Sequence, residues 1–276
     1  MIIDFHTHVF PDAIAQRTIA HLEEKGGMKA HAEGTLAGLK GSMKRAGIDY
    51  SVVLPVVTKP SQFESVNRYA AEINGKEGIF SFGGIHPDCE DIEEKLDVIK
   101  SLGLKGIKLH PDYQDTEFDD EKYFRILEGC KKRGLYVLTH AGFDPAYPSH
   151  THLTPENAAR VVKALHKGEE NPKPFLILAH LGSNDFADRS EEHLVGLPCY
   201  FDLAVILGKV PEDQLLRVIR THGVDKILFA TDSPWHDQRE DKTYFERLPL
   251  SVQEKNSILY ENGAGILGLA SKFSPL

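Results

Sequence analysis

The sequence predicts an α/β protein, a closed (β/α)8 TIM barrel, and three observations carry that expectation. Eight short runs rich in β-branched and aromatic residues recur along the chain. Amphipathic, charge-bearing stretches long enough for helices separate them. The runs are nearly continuously apolar, as strands of a parallel sheet covered on its outer face are. Eight such units in 276 residues favour a closed barrel over an open doubly wound sheet.

The first run is IIDFH, and the long stretch after it contains EEKGGMKAHAEG, which separates two helices. SVVLPVV from Ser51 and IFSFGGI from Ile79 are the second and third runs, and DIEEKLDVIKSLG follows as a helix. GIKLH from Gly106 precedes the helical DEKYFRILEGCKKRG. LYVLTH from Leu135 runs into the Pro-, Gly- and polar-rich GFDPAYPSHTHLTP, and FLILAH from Phe175 is the sixth run. CYFDLAV from Cys199 leads to PEDQLLRVIRTHG, and ILFATD from Ile227 leads to SPWHDQREDKTYFERLP. Several of these helices open on Asp, Thr-Pro or Pro and stop at Gly, as capping requires. No internal linker or low-complexity tract interrupts the series, so the expectation is one domain over residues 1–276.

Composition narrows the function. Hydrophobic residues are 41% and charged residues 26%, ordinary for a soluble globular protein. A net charge of -9 argues against nucleic acid as a partner. Cys89, Cys130 and Cys199 are few, odd in number and far apart, which suits reduced thiols in a cytoplasmic protein. The N-terminus does not read as a signal peptide, and no apolar run approaches the roughly 20 residues of a membrane helix. The expected partner is a small-molecule substrate, with neither nucleic acid nor membrane, and a homodimer is compatible with the composition.

The ends of the runs carry the chemistry. They place His6 and His8, His110, His140, His180 and Asp232 at the C-terminal rim, where such barrels build their sites. Residues two apart on a strand face the same way, so His6 and His8 are expected to face one centre together with Asp4. Imidazoles from two strands and a carboxylate form a nitrogen and oxygen set suited to a divalent transition metal. A lone His-x-His is weak, and a single strand-end histidine is more often a satisfied rim residue. Their recurrence at the first, fifth, sixth and eighth strands makes the set functional. The remaining histidines read as surface or loop residues, with His86 and His236 the first exceptions to consider.

IDFHTH, VLTHAG, ILAHLG and FATDSPW resemble the metal-site signatures of the amidohydrolase superfamily, and the tail ENGAGILGL resembles its closing helix. The pattern is most similar to the amidohydrolase-related branch containing aminocarboxymuconate-semialdehyde decarboxylase. The resemblance implies one zinc or manganese ion per chain on His6, His8, His140 and Asp232. It implies that His180 acts beside the metal in mononuclear members and ligates a second ion in binuclear ones. Lys108 holds the place of the carboxylated lysine of binuclear members, but GIKLHP is also the form of the mononuclear branch, so an unmodified Lys108 is expected. His110 shares its inward side and is a further second-metal or substrate candidate. The phosphodiester-cleaving relatives usually carry a glutamate on the fourth strand, and GIKLHP has none.

The leading reading is a hydrolase of a small amide, ester or lactone, with Asp232 taking the proton of water and His180 orienting water or substrate. The runner-up is non-oxidative decarboxylation of an unsaturated or aromatic acid, and the third is a metal-binding barrel without catalysis. The short chain favours hydrolysis. Arg17 and Arg189, in rim segments, and Trp235, after the eighth strand, are candidate substrate contacts.

Overall fold

The computed structural model describes residues 1–270. Eight parallel strands form at the eight apolar runs: β1 (Ile3–Thr7), β2 (Tyr50–Val53), β3 (Ile79–Ser81, continued by Gly83–Gly84), β4 (Gly106–Leu109), β5 (Tyr136–Thr139), β6 (Leu176–Leu178), β7 (Tyr200–Asp202) and β8 (Ile227–Leu228). Neighbours in sequence pair in parallel throughout. The ring closes between β8 and β1, where Phe5 N donates to Phe229 O (2.9 Å) and Asp232 N to His6 O (2.8 Å).

The third strand is crimped at Phe82, its first half pairing with β2 and its second with β4. Asn67 causes this locally: its Nδ2 donates to Gly84 O (2.8 Å), and its Oδ1 accepts from Gly84 N (3.0 Å). A Cβ on Gly83 would stand 2.4 Å from that Oδ1, so only glycine admits the asparagine.

Eleven α-helices connect and cover the strands among the described residues: α1 (Asp12–Gly26), α2 (Leu36–Ala46), α3 (Phe63–Ile73), α4 (Ile92–Ser101), α5 (Glu121–Arg133), α6 (Pro155–Leu165), α7 (Ala187–His193), α8 (Glu212–His222), α9 (Gln238–Arg247), α10 (Val252–Asn256) and α11 (Asn262–Leu267). Side chains of Thr35, Asp120, Thr154 and Asp237 cap α2, α5, α6 and α9. The two helices expected after the first strand are α1 and α2, and the closing stretch ENGAGILGL contains α11. Ile3, Phe5, Val52, Leu54, Phe82, Leu138, Ile177 and Leu228 fill the barrel, with Tyr260, Ala264, Ile266 and Leu267 packed against them. A second, larger apolar cluster lies between strands and helices.

Two expectations are corrected. The β1–β2 register shifts between Asp4 and Thr7, so simple alternation breaks within β1. Phe5 joins the barrel filling while Asp4 bonds Thr231 (2.6 Å) and Gln238 (2.7 Å) on the α9 side. Asp4 therefore does not share the centre that His6 and His8 face. Nor is His222 a surface residue: it is 2% exposed, stacks on Phe201 with ring centroids 3.9 Å apart, and bonds Cys199 O (2.8 Å). His86 and His166 are buried as well.

Candidate metal centre

Strand ends deliver the donors. His6 Nε2, His8 Nε2 and Asp232 Oδ1 lie 3.1, 3.4 and 3.0 Å from one another. Metal bonds of about 2.1 Å would separate neighbouring donors by about 3.0 Å at right angles and about 3.4 Å at the tetrahedral angle. The trio therefore has the edges of one coordination sphere. Two rim residues leave their strands in an unusual way: Asp232, of the trio, has a φ of 68° and His180, beside it, a φ of 60°, the left-handed region that non-glycine residues seldom adopt. The Asp232 N–H bond to His6 O holds the first of these turns in place.

Partners on the far side of each ring decide which nitrogen carries a proton. His8 Nδ1 donates to Leu54 O (2.9 Å) and His180 Nδ1 to Ala204 O (3.0 Å), so both Nε2 atoms keep their lone pairs. His6 Nδ1 donates to Asp202 Oδ2 (2.8 Å), while Asp202 Oδ1 accepts from His180 N (2.8 Å) and Ala204 N (3.1 Å). These are the carboxylate and carbonyl supports that orient metal-binding histidines. Burial holds His6 and His140 well below the usual histidine pKa and His180 at about 4, so all three rings are neutral at pH 7. For Asp232, burial opposes the carboxylate, but the nearby His8, His180 and Lys108 side chains together bring its pKa below the ordinary value.

His140 faces His180 rather than the trio. Its Nδ1 lies 3.1 Å from His180 Nε2, which has only a lone pair to offer, so Nδ1 carries the proton. That leaves His140 Nε2 buried without a partner, 4.0 Å from Asp112 Oδ2, which is also unpartnered. A metal at Nδ1 would send the proton to Nε2, where Asp112 can accept it. The two orphaned atoms fit a metal ligand whose metal-binding nitrogen is Nδ1. Lys108 is 1% exposed and donates to His6 Nε2 (3.1 Å), and burial lowers its pKa to about 8. His110 stacks on His140 at 4.3 Å and on Tyr113 at 3.9 Å, and its Nε2 lies 3.2 Å from Asp144 Oδ2.

All these donors open into a cavity of about 760 Å³ whose outer wall includes Phe10, Ile14, Leu22 and Met28 on or beside α1. Trp235 and His236, in the loop after β8, line it. Neither candidate arginine does. Arg17 is exposed, and Arg189 pairs with Glu156 at 2.7 Å across α6 and α7. A carboxylate partner nearby in space but 33 residues away in sequence diverts Arg189. The cavity's other cations were not singled out by sequence: Lys25 sits 3.6 Å above the Tyr147 ring, and Lys209 bonds Asn184 and Asp185, both at 2.6 Å. Asp202 and Asp112 were missed too. The signal for Asp202 was present, a lone carboxylate in the apolar CYFDLAV.

A parallel barrel carrying a His-x-His, two further strand-end histidines and a terminal aspartate has the make-up of a metal-dependent barrel enzyme. The chain belongs to the amidohydrolase family, whose family model matches residues 3–269. Among solved structures it resembles a TIM-barrel protein from Bordetella bronchiseptica (18% identity, TM-score 0.74, 97% of this chain and 98% of that one). It also resembles 5-carboxyvanillate decarboxylase from Sphingomonas paucimobilis (14%, TM-score 0.72, 98% and 99%). A third is dihydroxybenzoic acid decarboxylase from Polaromonas with bound manganese (14%, TM-score 0.71, 97% and 96%). At these identities the likeness establishes the fold. No curated protein matches the chain. No helix among the described residues is long and apolar enough to cross a membrane.

Proposed function

We propose that this chain is a metal-dependent hydrolase of a small, uncharged amide, ester or lactone, with one zinc or manganese ion on His6, His8, His140 and Asp232. The observation that carries the metal assignment is the convergence of His6 Nε2, His8 Nε2 and Asp232 Oδ1 within 3.0–3.4 Å, each imidazole presenting a lone pair. A divalent ion there supplies Lewis acidity, lowering the pKa of water and polarising a carbonyl. Asp232 offers Oδ1 to the donor cluster and keeps its second oxygen to take a proton from the attacking water. His180, with Nδ1 anchored on Ala204 O, presents Nε2 to the same space and orients water or the developing oxyanion.

Hydrolysis of an uncharged substrate is favoured by the cavity's charges. No arginine lines it among the described residues, and its three lysines are engaged: Lys25 over an aromatic ring, Lys108 on His6 Nε2 and Lys209 on a carboxylate. Its apolar wall suits a hydrocarbon body. The second reading, decarboxylation of an aromatic acid, draws support from decarboxylases among the structural relatives and from Tyr113 and Tyr147 on one wall, rings 5.1 Å apart. Chelated protein reloaded with zinc or manganese should hydrolyse members of a panel of lactones, esters and amides. Turnover confined to aromatic acids, with release of carbon dioxide, would replace the first reading by the second.

A further inference from the structure

The loop after β8 holds a second pair of proton-handling groups that the metal centre does not use. His236 lines the same cavity as Asp232 and His180, four residues beyond Asp232. The loop is folded back, Trp235 N donating to Asp232 O (2.9 Å) and His31 N to Pro234 O (2.7 Å). His236 Nδ1 lies 3.4 Å from both carboxylate oxygens of Asp241, in the first turn of α9. Asp241 is 7% exposed, and its Oδ2 has no hydrogen-bond partner. With Nδ1 turned to a buried carboxylate, the opposite ring edge carries Nε2.

We propose that His236, held by Asp241, is the acid that protonates the leaving group, an inference that rests on the hydrolase reading. A carboxylate behind one nitrogen fixes the ring's orientation and stabilises the imidazolium, so that Nε2–H can be given up. The charged groups that act on His236 are Asp241 and Asp232, which favour its cation, and Lys209, which opposes it; the balance raises its pKa. In the reaction, the oxygen of water bonds to the acyl carbon as Asp232 takes one proton. The bond from carbon to the amine or alkoxide then breaks, and the leaving atom takes the Nε2 proton of His236. Asp232 releases its proton to solvent and His236, partly exposed, regains one from solvent. The sum is one water consumed, with one acid and one amine or alcohol formed. A separate acid relieves Asp232 of delivering the proton to the leaving atom.

The bland alternative is a pair that only pins the loop to α9. Leaving-group dependence separates the two, because nitrophenolate departs without a proton and methoxide does not. The metal-loaded full chain would be assayed with 4-nitrophenyl hexanoate and methyl hexanoate. His236→Gln and Asp241→Asn should lower kcat for the methyl ester about 10²-fold or more beyond any loss on the nitrophenyl ester, the scale of a positioned acid. Equal losses on both esters, with wild type active, would overturn the acid role alone. A wild type that turns over neither ester, nor any lactone or amide, would remove the hydrolase reading and the acid role with it. Histidine NMR on the metal-free protein gives a readout independent of turnover: Asp241→Asn should move the His236 midpoint down, and an unmoved midpoint would also overturn the proposal.

Discussion

Asp202→Asn tests how far the support behind His6 sets metal affinity. The residue is 0% exposed, and the amide has the same shape as the carboxylate, so packing is preserved. Asp202 Oδ1 accepts two backbone N–H groups, from His180 and Ala204, and Oδ2 accepts Nδ1–H of His6 at 2.8 Å. An asparagine has one acceptor oxygen. Facing the two N–H donors with it turns the amide NH2 towards His6. Nδ1 must then become an acceptor and the ring proton moves to Nε2, the atom that converges with His8 and Asp232. Binding a metal there requires undoing that tautomer or leaving a buried donor unsatisfied. Loss of such a support costs about 10–100-fold in metal affinity, which is about 1.4–2.7 kcal/mol at 1.36 kcal/mol per tenfold step. Competition against a chromophoric chelator at pH 7.5 reads the affinity, and circular dichroism checks that the barrel is intact. A zinc affinity within twofold of wild type in a folded Asp202→Asn protein would refute the argument that Asp202 sets the His6 tautomer.

His8→Ala should lose most of the metal while staying folded, and elemental analysis finding wild-type metal content would sink the ligand assignment. His180→Asn should keep near wild-type metal and lose about 10²–10⁴-fold in turnover; if it loses metal as His8→Ala does, the 3.1 Å His140–His180 pair is a ligand pair instead. Lys108 should be an unmodified amine in the metal-loaded protein, because the GIKLHP strand resembles the mononuclear branch. Bicarbonate-dependent metal content, with carbamate density at Lys108 bridging two ions, would refute that. His222, held at about 4 mainly by burial, uses both ring nitrogens: Nδ1 accepts from Gly196 N and Nε2 donates to Cys199 O. Its folded pKa lies below its unfolded one, so it costs stability as pH falls from about 6.5 towards 4. The cost should reach about 2 kcal/mol at pH 5. His222→Gln should lose that part of the drop in urea midpoints between pH 7 and pH 5, and equal drops in both proteins would contradict it.

The strands were legible because apolar runs repeat with helical stretches between them, and covalent order alone then carries each run's last residue to one rim. His6, His8 and Asp232 meet as that rule requires, and His140 and His180 pair beside them. What the rule lacks is any account of local register or of partners distant in sequence. Asp4 and Asp202 look alike in the sequence, each a single carboxylate inside an apolar run. A register shift in β1 turns Asp4 to Thr231 and Gln238, where burial raises its pKa to about 7 despite the hydrogen bonds it accepts. No such shift intervenes in β7, and Asp202 ends beneath His6 and His180. The same limit governs the arginines. Arg189 was placed at the rim by its loop, yet Glu156 meets it across two helices that no periodicity ties together. Sequence pattern thus reaches the donors that strands carry directly, while Asp202, which fixes the His6 tautomer, and Asp112, 4.0 Å from His140 Nε2, depend on the closed ring bringing β1 beside β8 and the loops after β4 and β5 against each other.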